Sequence, residues 1–506
     1  MIRKLGVLLA LSLAAALLVL PGQPAVALQA SVVANTSPIW QTNNIVWGMT
    51  AANGVLYAGG DFTSVRPPGA PAGTGEVARN RVAAFDASTG DLQPFSHTFD
   101  NRVSVITASP DGGTIYVGGD FTTVDGVSRP RLAAFDTATG ALKSWNPKSW
   151  GPVRGIGVAP GGATVYIGGQ FGTFNGVSKA RLAAVNNTTG ALTAWAAAAD
   201  APVTSVAVAP DGSRVFVGGY FSNLNGQPRR ATGSLDPVDG SNEPWASASV
   251  VPPRTTSCDS NIKDVAVDAT NVYFAAEGNG GGCFDGTFAA RQSDGALVWR
   301  NNCLGATQSV EVVGGMLYKG SHAHNCSANG DFPETGTNLS RHLLVENLTT
   351  GRIGPWFPNT NGQPLGPRTM ATDGTQLWVG GDFTTVNNQP QQGIARFRPS
   401  PDPDNPNRPA IPTATSPNSG RVRLSWPATL DDDDWDLVYR VYRDGGTTPI
   451  YTSPPVRSTF WIRPTVTFDD TGLPSGSTHT YQVDAKEAFG PNISGKSSPS
   501  TPVTVR

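Results

Sequence analysis

The sequence predicts an all-β chain: a seven-bladed β-propeller followed by an immunoglobulin-like β-sandwich. Three observations carry the prediction. A strand ending in Gly-Gly recurs, its first glycine at positions 59, 118, 168, 218 and 380, with divergent copies at 273–276 and 318–321. An aromatic residue closes each unit, at Phe95, Trp145, Trp195, Trp245, Trp299 and Trp356, and a seventh, Trp40, precedes the first Gly-Gly strand. Beyond residue 412, short apolar–polar alternations such as Val422, Leu424 and Trp426 run to the C-terminus. Intervals near 50 residues mean one supersecondary unit repeated in an array.

Each unit reads as four strands with a turn signal between them. In the second, residues 103–107 form the first strand, Asp111-Gly112 the turn and residues 114–121 the second strand. Residues 131–135 form the third, ended by Thr139-Gly140, and residues 142–145 the fourth. Four short strands at regular turn spacing, seven times over, specify a propeller. The last unit stops near Arg398 without a fourth strand, so residues 32–40 are expected to supply it and to remove an open sheet edge. The tryptophans are expected to pack between blades.

These units resemble the secreted bacterial delta-60 repeat β-propellers, in which Tyr-x-Gly-Gly-Asp-Phe is followed by Arg-Leu-Ala-Ala-Phe-Asp, Thr-Gly and Trp. Residues 116–121, 131–136, 139–140 and Trp145 carry the resemblance, which extends over about residues 30–398. It implies the fold and an extracellular location and brings no biochemical role. The third strand and its turn (Ala134, Asp136, Thr139, Gly140) also resemble the quinoprotein dehydrogenase repeat. There, however, tryptophan comes one residue sooner, and that family's eight blades and adjacent cysteine pair have no counterpart here.

Composition narrows the function. At 506 residues the chain is too long for one ordinary domain. Net charge is −2 and no basic cluster appears, so neither nucleic acid nor an anionic membrane is an expected partner. Arg3 and Lys4, an apolar run over residues 5–20, Pro21-Gly22 and Ala25-Val26-Ala27 read as a signal peptide cleaved after Ala27. The mature chain is then secreted, has no transmembrane segment and is expected to be a monomer. It divides into a propeller (28–398), a linker (399–412) with six prolines, expected to be stiff and solvated, and a sandwich (413–506).

The Trp426 strand, Tyr442-Arg443-Asp444-Gly445 and residues 473–483 resemble a fibronectin type III domain. His479 stands where that family usually has its corner tyrosine. Asp431 to Asp434 form a run of four acids in a loop of this domain. Carboxylates suit calcium, but no glycine spacing organises them, and a solvated turn is the expectation.

Four cysteines in an exported chain point to disulfides. Cys258 and Cys303 follow the closing tryptophans of two adjacent blades, while Cys283 and Cys326 lie between second and third strands. All four fall on one face with matching separations, so Cys258–Cys283 and Cys303–Cys326 are the expected pairs.

Blade six departs most from the repeat. It carries His322, His324 and His342, three of five histidines, as a candidate metal or proton-transfer site. The alternative is a hydrogen-bonded cluster. Near the channel mouth the equivalent positions are Val46, Ser104, Arg154, Thr204, Lys263, Gln308 and Arg368. Arg154, Lys263 and Arg368, with Asp264 beside Lys263, could hold an anionic or hydroxyl-rich ligand, or simply pair with neighbouring acids. Asp61, Asp120 and Asp382 recur with the repeat and read as structural, bonding backbone donors of a neighbouring turn. No cofactor is identified.

Two functions fit. The first is a non-catalytic binding or surface-interaction protein directed to extracellular polysaccharide or a cell-surface glycan or protein. The second is a polysaccharide hydrolase or lyase drawing on Glu277, Asp285, Glu311, Asp331, Glu334 or Glu346. Binding is favoured, because no spacing singles out a catalytic pair and no nucleophile elbow, zinc helix or phosphate loop appears.

Overall fold

A computed structural model describes residues 30–279, 283–336, 339–361, 366–399 and 402–506. The leader assigned to residues 1–27 lies outside them. Regular structure is almost entirely strand, and no helix among the described residues is long and apolar enough to cross a membrane.

Seven antiparallel sheets of three or four strands follow one another to residue 397, with five smaller sheets of two or three short strands among them. The first strands of the seven, labelled β1 to β7, are Val46–Ala52, Val103–Ala108, Val153–Val158, Val203–Val208, Asp259–Val267, Thr307–Val313 and Thr369–Thr372. Each lies beside the next, and β7 lies beside β1. This ring is held by packing between separate sheets, not by one continuous hydrogen-bonded sheet.

The Gly-Gly pair explains how the sheets come so close. A Cβ on the first glycine would strike the next sheet: Val103 from Gly59, Val153 from Gly118, Val203 from Gly168 and Ile262 from Gly218. A Cβ on the second would strike a carbonyl of its own sheet's first-strand entry, Ile45 O from Gly60 or Arg102 O from Gly119. Those carbonyls accept from Asp61 N and Asp120 N, each at 2.9 Å.

The expected fourth strand is full length only in the fifth sheet, at Leu297–Asn301. Elsewhere it shrinks to a single bridge, as Phe135 to Leu142, with Lys143 N donating to Ala134 O at 2.8 Å. The chain leaves early because its closing aromatic turns into the neighbouring sheet. Trp145 meets Tyr116 edge-on and donates from Nε1 to Asn186 O at 3.0 Å, and Trp195 reaches Asp236 O at 2.9 Å in the same way. The N-terminal segment lies along the last strand, Ile394–Phe397, with Val33 N donating to Arg398 O and Ser37 N to Arg396 O.

The C-terminal part has two larger antiparallel sheets and a short two-stranded pair, Thr478–His479 with Val503–Thr504. Of the larger two, one holds Thr413–Thr415, Arg421–Pro427 and Thr465–Thr471, and the other is centred on Asp436–Arg443 paired with Tyr481–Glu487. Trp426, Tyr439 and Tyr481 are buried between them. His479 holds Asp444 through Nδ1 at 2.7 Å and Ser477 through Nε2 at 2.9 Å.

Residues 402–412 are not a free spacer. Asn492 Nδ2 donates to Asp402 Oδ2 at 2.9 Å, Ile493 N to Asn405 Oδ1 at 3.1 Å and Asn407 N to Leu430 O at 2.9 Å. Trp435, Phe460 and Trp461 pack on Leu344 of the sixth sheet and on Phe332, Ile353 and Phe357 of its connecting segments, and Arg341 stacks over Phe460 at 4.1 Å. Apolar side chains on both partners thus meet across this junction.

Candidate functional site at the channel mouth

The first strands converge on one cavity of about 510 Å³, within the range typical of ligand pockets. Its mouth is built by a repeated backbone irregularity. In the first sheet Val46 and Gly48 pair with the adjacent residues Gly60 and Gly59, leaving Trp47 out of the ladder. The same skip frees Ser104, Arg154, Thr204, Lys263 and Gln308 in the next five sheets. Arg368 stands just ahead of β7, its N–H bonded to Gly380 O. A β-bulge re-aims a side chain, and here the six bulge residues, with Arg368, face the cavity. Val46, equated with them by spacing, is instead buried opposite Gly60; a shorter turn at Asn53-Gly54 shifts the count, and Trp47 takes the place.

Hydrogen bonds and ion pairs tie the mouth residues together both within and between sheets. Arg154 reaches back to Asp120 with two bonds of 2.9 and 3.0 Å and to Ser104 Oγ at 2.8 Å. Lys263 Nζ donates to Tyr220 Oη at 2.9 Å and lies 3.3 Å from Glu277; Gln308 Nε2 donates to Glu277 at 2.6 Å. Arg102 holds Asp61 at 2.8 Å, and Arg368 holds Asp382 at 3.3 Å. Trp47 donates to Asp61 at 2.8 Å, and its ring lies between the guanidiniums of Arg102 and Arg368, at 4.6 and 5.1 Å. The repeat aspartates thus bond side chains of the mouth, not the backbone of a neighbouring turn. They fix three cations in place, and a fixed cation loses little entropy on meeting a ligand.

Deeper in the cavity stand two carboxyls from adjacent sheets. Asp264 accepts from Val265 N at 2.9 Å, Val310 N at 3.2 Å and Ser205 Oγ at 3.3 Å, and burial raises its pKa. Burial, and then the neighbouring Asp264, push Glu311 up to about 8. Glu311 therefore keeps a proton in the fold where an unfolded Glu, near 4.5, has lost it. Folding takes up that proton, so stability falls as pH rises from about 4.5 towards about 8. Thermal unfolding of wild type and Glu311→Gln across this range checks the point: the variant's profile is flatter, and two parallel profiles contradict the assignment.

The other acids weighed from the sequence are engaged elsewhere. Asp285, raised to about 6 by burial, accepts from Gly278 N and Gly305 N. Asp331 pairs with Arg352, Glu334 with His324, and Glu346 with Lys319 in full burial.

The three histidines have separate partners. His342 Nδ1 bonds Thr360 O at 2.7 Å, His324 Nδ1 bonds Glu334 at 2.9 Å, and His322 Nε2 accepts from Ala306 N at 3.3 Å. Burial lowers the pKa of both His322 and His342. The one group of three or more His, Cys, Asp or Glu among the described residues with ligand atoms within 4.8 Å of one another is Asp431, Asp432 and Asp433, so the histidines do not share a metal-binding point. His324 lies beyond the strand Met316–Ala323, where the alternation that would align His-x-His ends. Cys258 bonds Cys283 and Cys303 bonds Cys326, the pairing the spacing predicts.

Sequence reasoning missed Trp47 and Arg102. The bulge is invisible in spacing, but a tryptophan at the head of a first strand, outside the closing-aromatic series, was a usable signal.

No curated protein matches the chain. The family model described as "Domain of unknown function (DUF5122) beta-propeller" matches residues 113–140 and 376–405, so the chain carries a β-propeller-type domain.

Proposed function

We propose that this is a secreted, non-catalytic binding protein, a seven-bladed propeller with a C-terminal fibronectin type III domain, whose channel mouth takes a hydroxyl-rich or anionic portion of an extracellular polysaccharide or cell-surface glycan. The seven-bladed reading is supported by the ring of β1 to β7. Two packed antiparallel sheets with Trp426 between them support the fibronectin type III reading. The observation that carries the functional reading is the convergence of the bulge side chains and Arg368 on one cavity. Tethered guanidiniums, an amide, hydroxyls and an indole together match the donor-rich, partly apolar surface of a sugar.

A glycan array beside a broad glycosidase screen, run on the full chain, tests this. The expected result is saturable binding to a subset of saccharides without turnover. Arg154→Ala and Lys263→Ala should each weaken it roughly tenfold, about 1.4 kcal/mol. Binding indifferent to both substitutions would move the ligand elsewhere and end this reading. The second reading, a polysaccharide hydrolase or lyase, is favoured by one observation: Glu311 is protonated near neutral pH beside Asp264, as a general acid must be. Saccharide turnover abolished by Glu311→Gln would establish it in place of the first.

A further inference from the structure

Asp431, Asp432 and Asp433 were expected in a solvated turn. Instead Asp431 is 4% and Asp433 8% exposed. Asp431 Oδ2 and Asp433 Oδ1 are buried and meet no N–H or hydroxyl donor; the two carboxyls meet each other. Asp431, Asp432 and Asp433 each offer a carboxylate oxygen, and these atoms all lie within 4.8 Å of one another. Glu487 is 2% exposed, and its Oε1 meets no N–H or hydroxyl donor. Among the described residues no ion pair joins Asp402, Asp404, Asp431, Asp432, Asp433 or Glu487 to a Lys, Arg or His. Buried carboxylates in that number require either protons or a cation.

We infer that Asp431, Asp432 and Asp433 form a divalent-cation site, of calcium class, at the junction of the propeller, the linker and the C-terminal sandwich. The donors are all hard oxygens. They come from one irregular loop, so they suit an ion that tolerates a flexible coordination shell, as calcium does and magnesium does not. Position gives the site a role. Asp433 Oδ2 accepts from Ala34 N at 2.8 Å, in the segment lying along the last strand of the ring. Asp432 O accepts from Phe357 N at 3.1 Å at the exit of the sixth sheet, and Leu430 O accepts from Asn407 N at 2.9 Å in the linker. An ion on the three carboxylates therefore ties four segments together and locks the sandwich on the propeller. Removing it leaves like charges at a buried junction, and the junction loosens.

The test uses the full chain, stripped with EDTA and dialysed. Titration with calcium chloride, followed by calorimetry, should show a saturable isotherm at affinities between micromolar and millimolar, the range of sensors and extracellular modules. Melting temperature should rise by several degrees with calcium and much less with equimolar magnesium. Asp431→Asn and Asp432→Asn should each weaken calcium binding by at least roughly tenfold, the scale seen for loss of even an outer partner. In EDTA both variants should melt above wild type, since each removes a repelling charge. If Asp431→Asn does not fold, Asp432→Asn, at a partly exposed position, decides the matter. An isotherm without saturable heat, equal melting in calcium and EDTA, or full affinity in the folded variant would overturn the site. Protons shared between carboxyls would then satisfy the junction.

Discussion

Lys319→Met should destabilise the protein by about 3–5 kcal/mol, the usual cost of stranding one member of a buried ion pair. Lys319 and Glu346 are both fully buried, with Nζ 2.6 Å from Oε1. Glu346 also accepts from Thr287 Oγ1 at 2.7 Å and Asn301 Nδ2 at 2.9 Å, so the substitution leaves a carboxylate with hydrogen bonds but no countercharge. Strand register explains how the pair arose. Lys319 stands directly before Gly320, in the slot that Val117 fills before Gly118, and Glu346 lies on the third strand in the slot of Phe135. The sixth sheet has replaced an apolar core pair by an ionic one. The double variant Lys319→Met/Glu346→Leu restores the repeat's own solution and should be more stable than either single variant. Urea unfolding of all four proteins gives the coupling energy directly. Single variants that lose less than about 1 kcal/mol would mean that the pair is wet, contrary to its burial.

The same comparison shows where the sequence is readable. Periodicity carries the sheets because every Gly-Gly must admit a neighbouring sheet, and a requirement that recurs leaves a recurring trace. The cysteine pairs are legible for the same reason, since two adjacent units use one staple. The mouth was half legible: Arg154, Lys263, Asp264 and Arg368 do line one cavity, but their partners are split between sheets, Arg154 holding Asp120 of the preceding one and Arg368 holding Asp382 of its own, and Trp47 enters through a bulge that residue counting cannot detect. The acids at 431–433 were misjudged because burial there comes from Ala34, Phe357 and the linker, which lie far away in sequence. Lys319 and Glu346 could have been found, because a charge in an apolar slot of a repeat is a visible departure. Glu346 was weighed instead as a catalytic acid, since its strand partners are set by register and not by spacing.

Trp356→Ala should cost about 3–5 kcal/mol, as large aromatic truncations in a core do, and its effect should reach a segment more than 300 residues away in sequence. Trp356 is fully buried, edge-on to Tyr318 at 4.8 Å and to Phe397 at 5.1 Å, and its Nε1 donates to Val33 O at 3.2 Å. Tyr318 Oη in turn accepts from Ser31 N at 2.9 Å and Val32 N at 3.2 Å. The indole therefore stands behind the N-terminal segment that covers the last strand. Losing it removes both the packing and the acceptor's partner, and the amides of Val33 and Ser37 should exchange with solvent markedly faster. Trp145→Ala is the control. Trp145 is 2% exposed and meets Tyr116 as Trp356 meets Tyr318, but it lies against the third sheet, away from the ends of the chain. It should lower stability comparably while leaving Val33 and Ser37 protected relative to global unfolding. If the two variants change amide exchange alike, the N-terminal segment is held by the ring as a whole and not by this contact. If only Trp356→Ala frees it, one side chain governs whether the last sheet keeps a covered edge, and with it the exposure of a strand able to pair with another molecule.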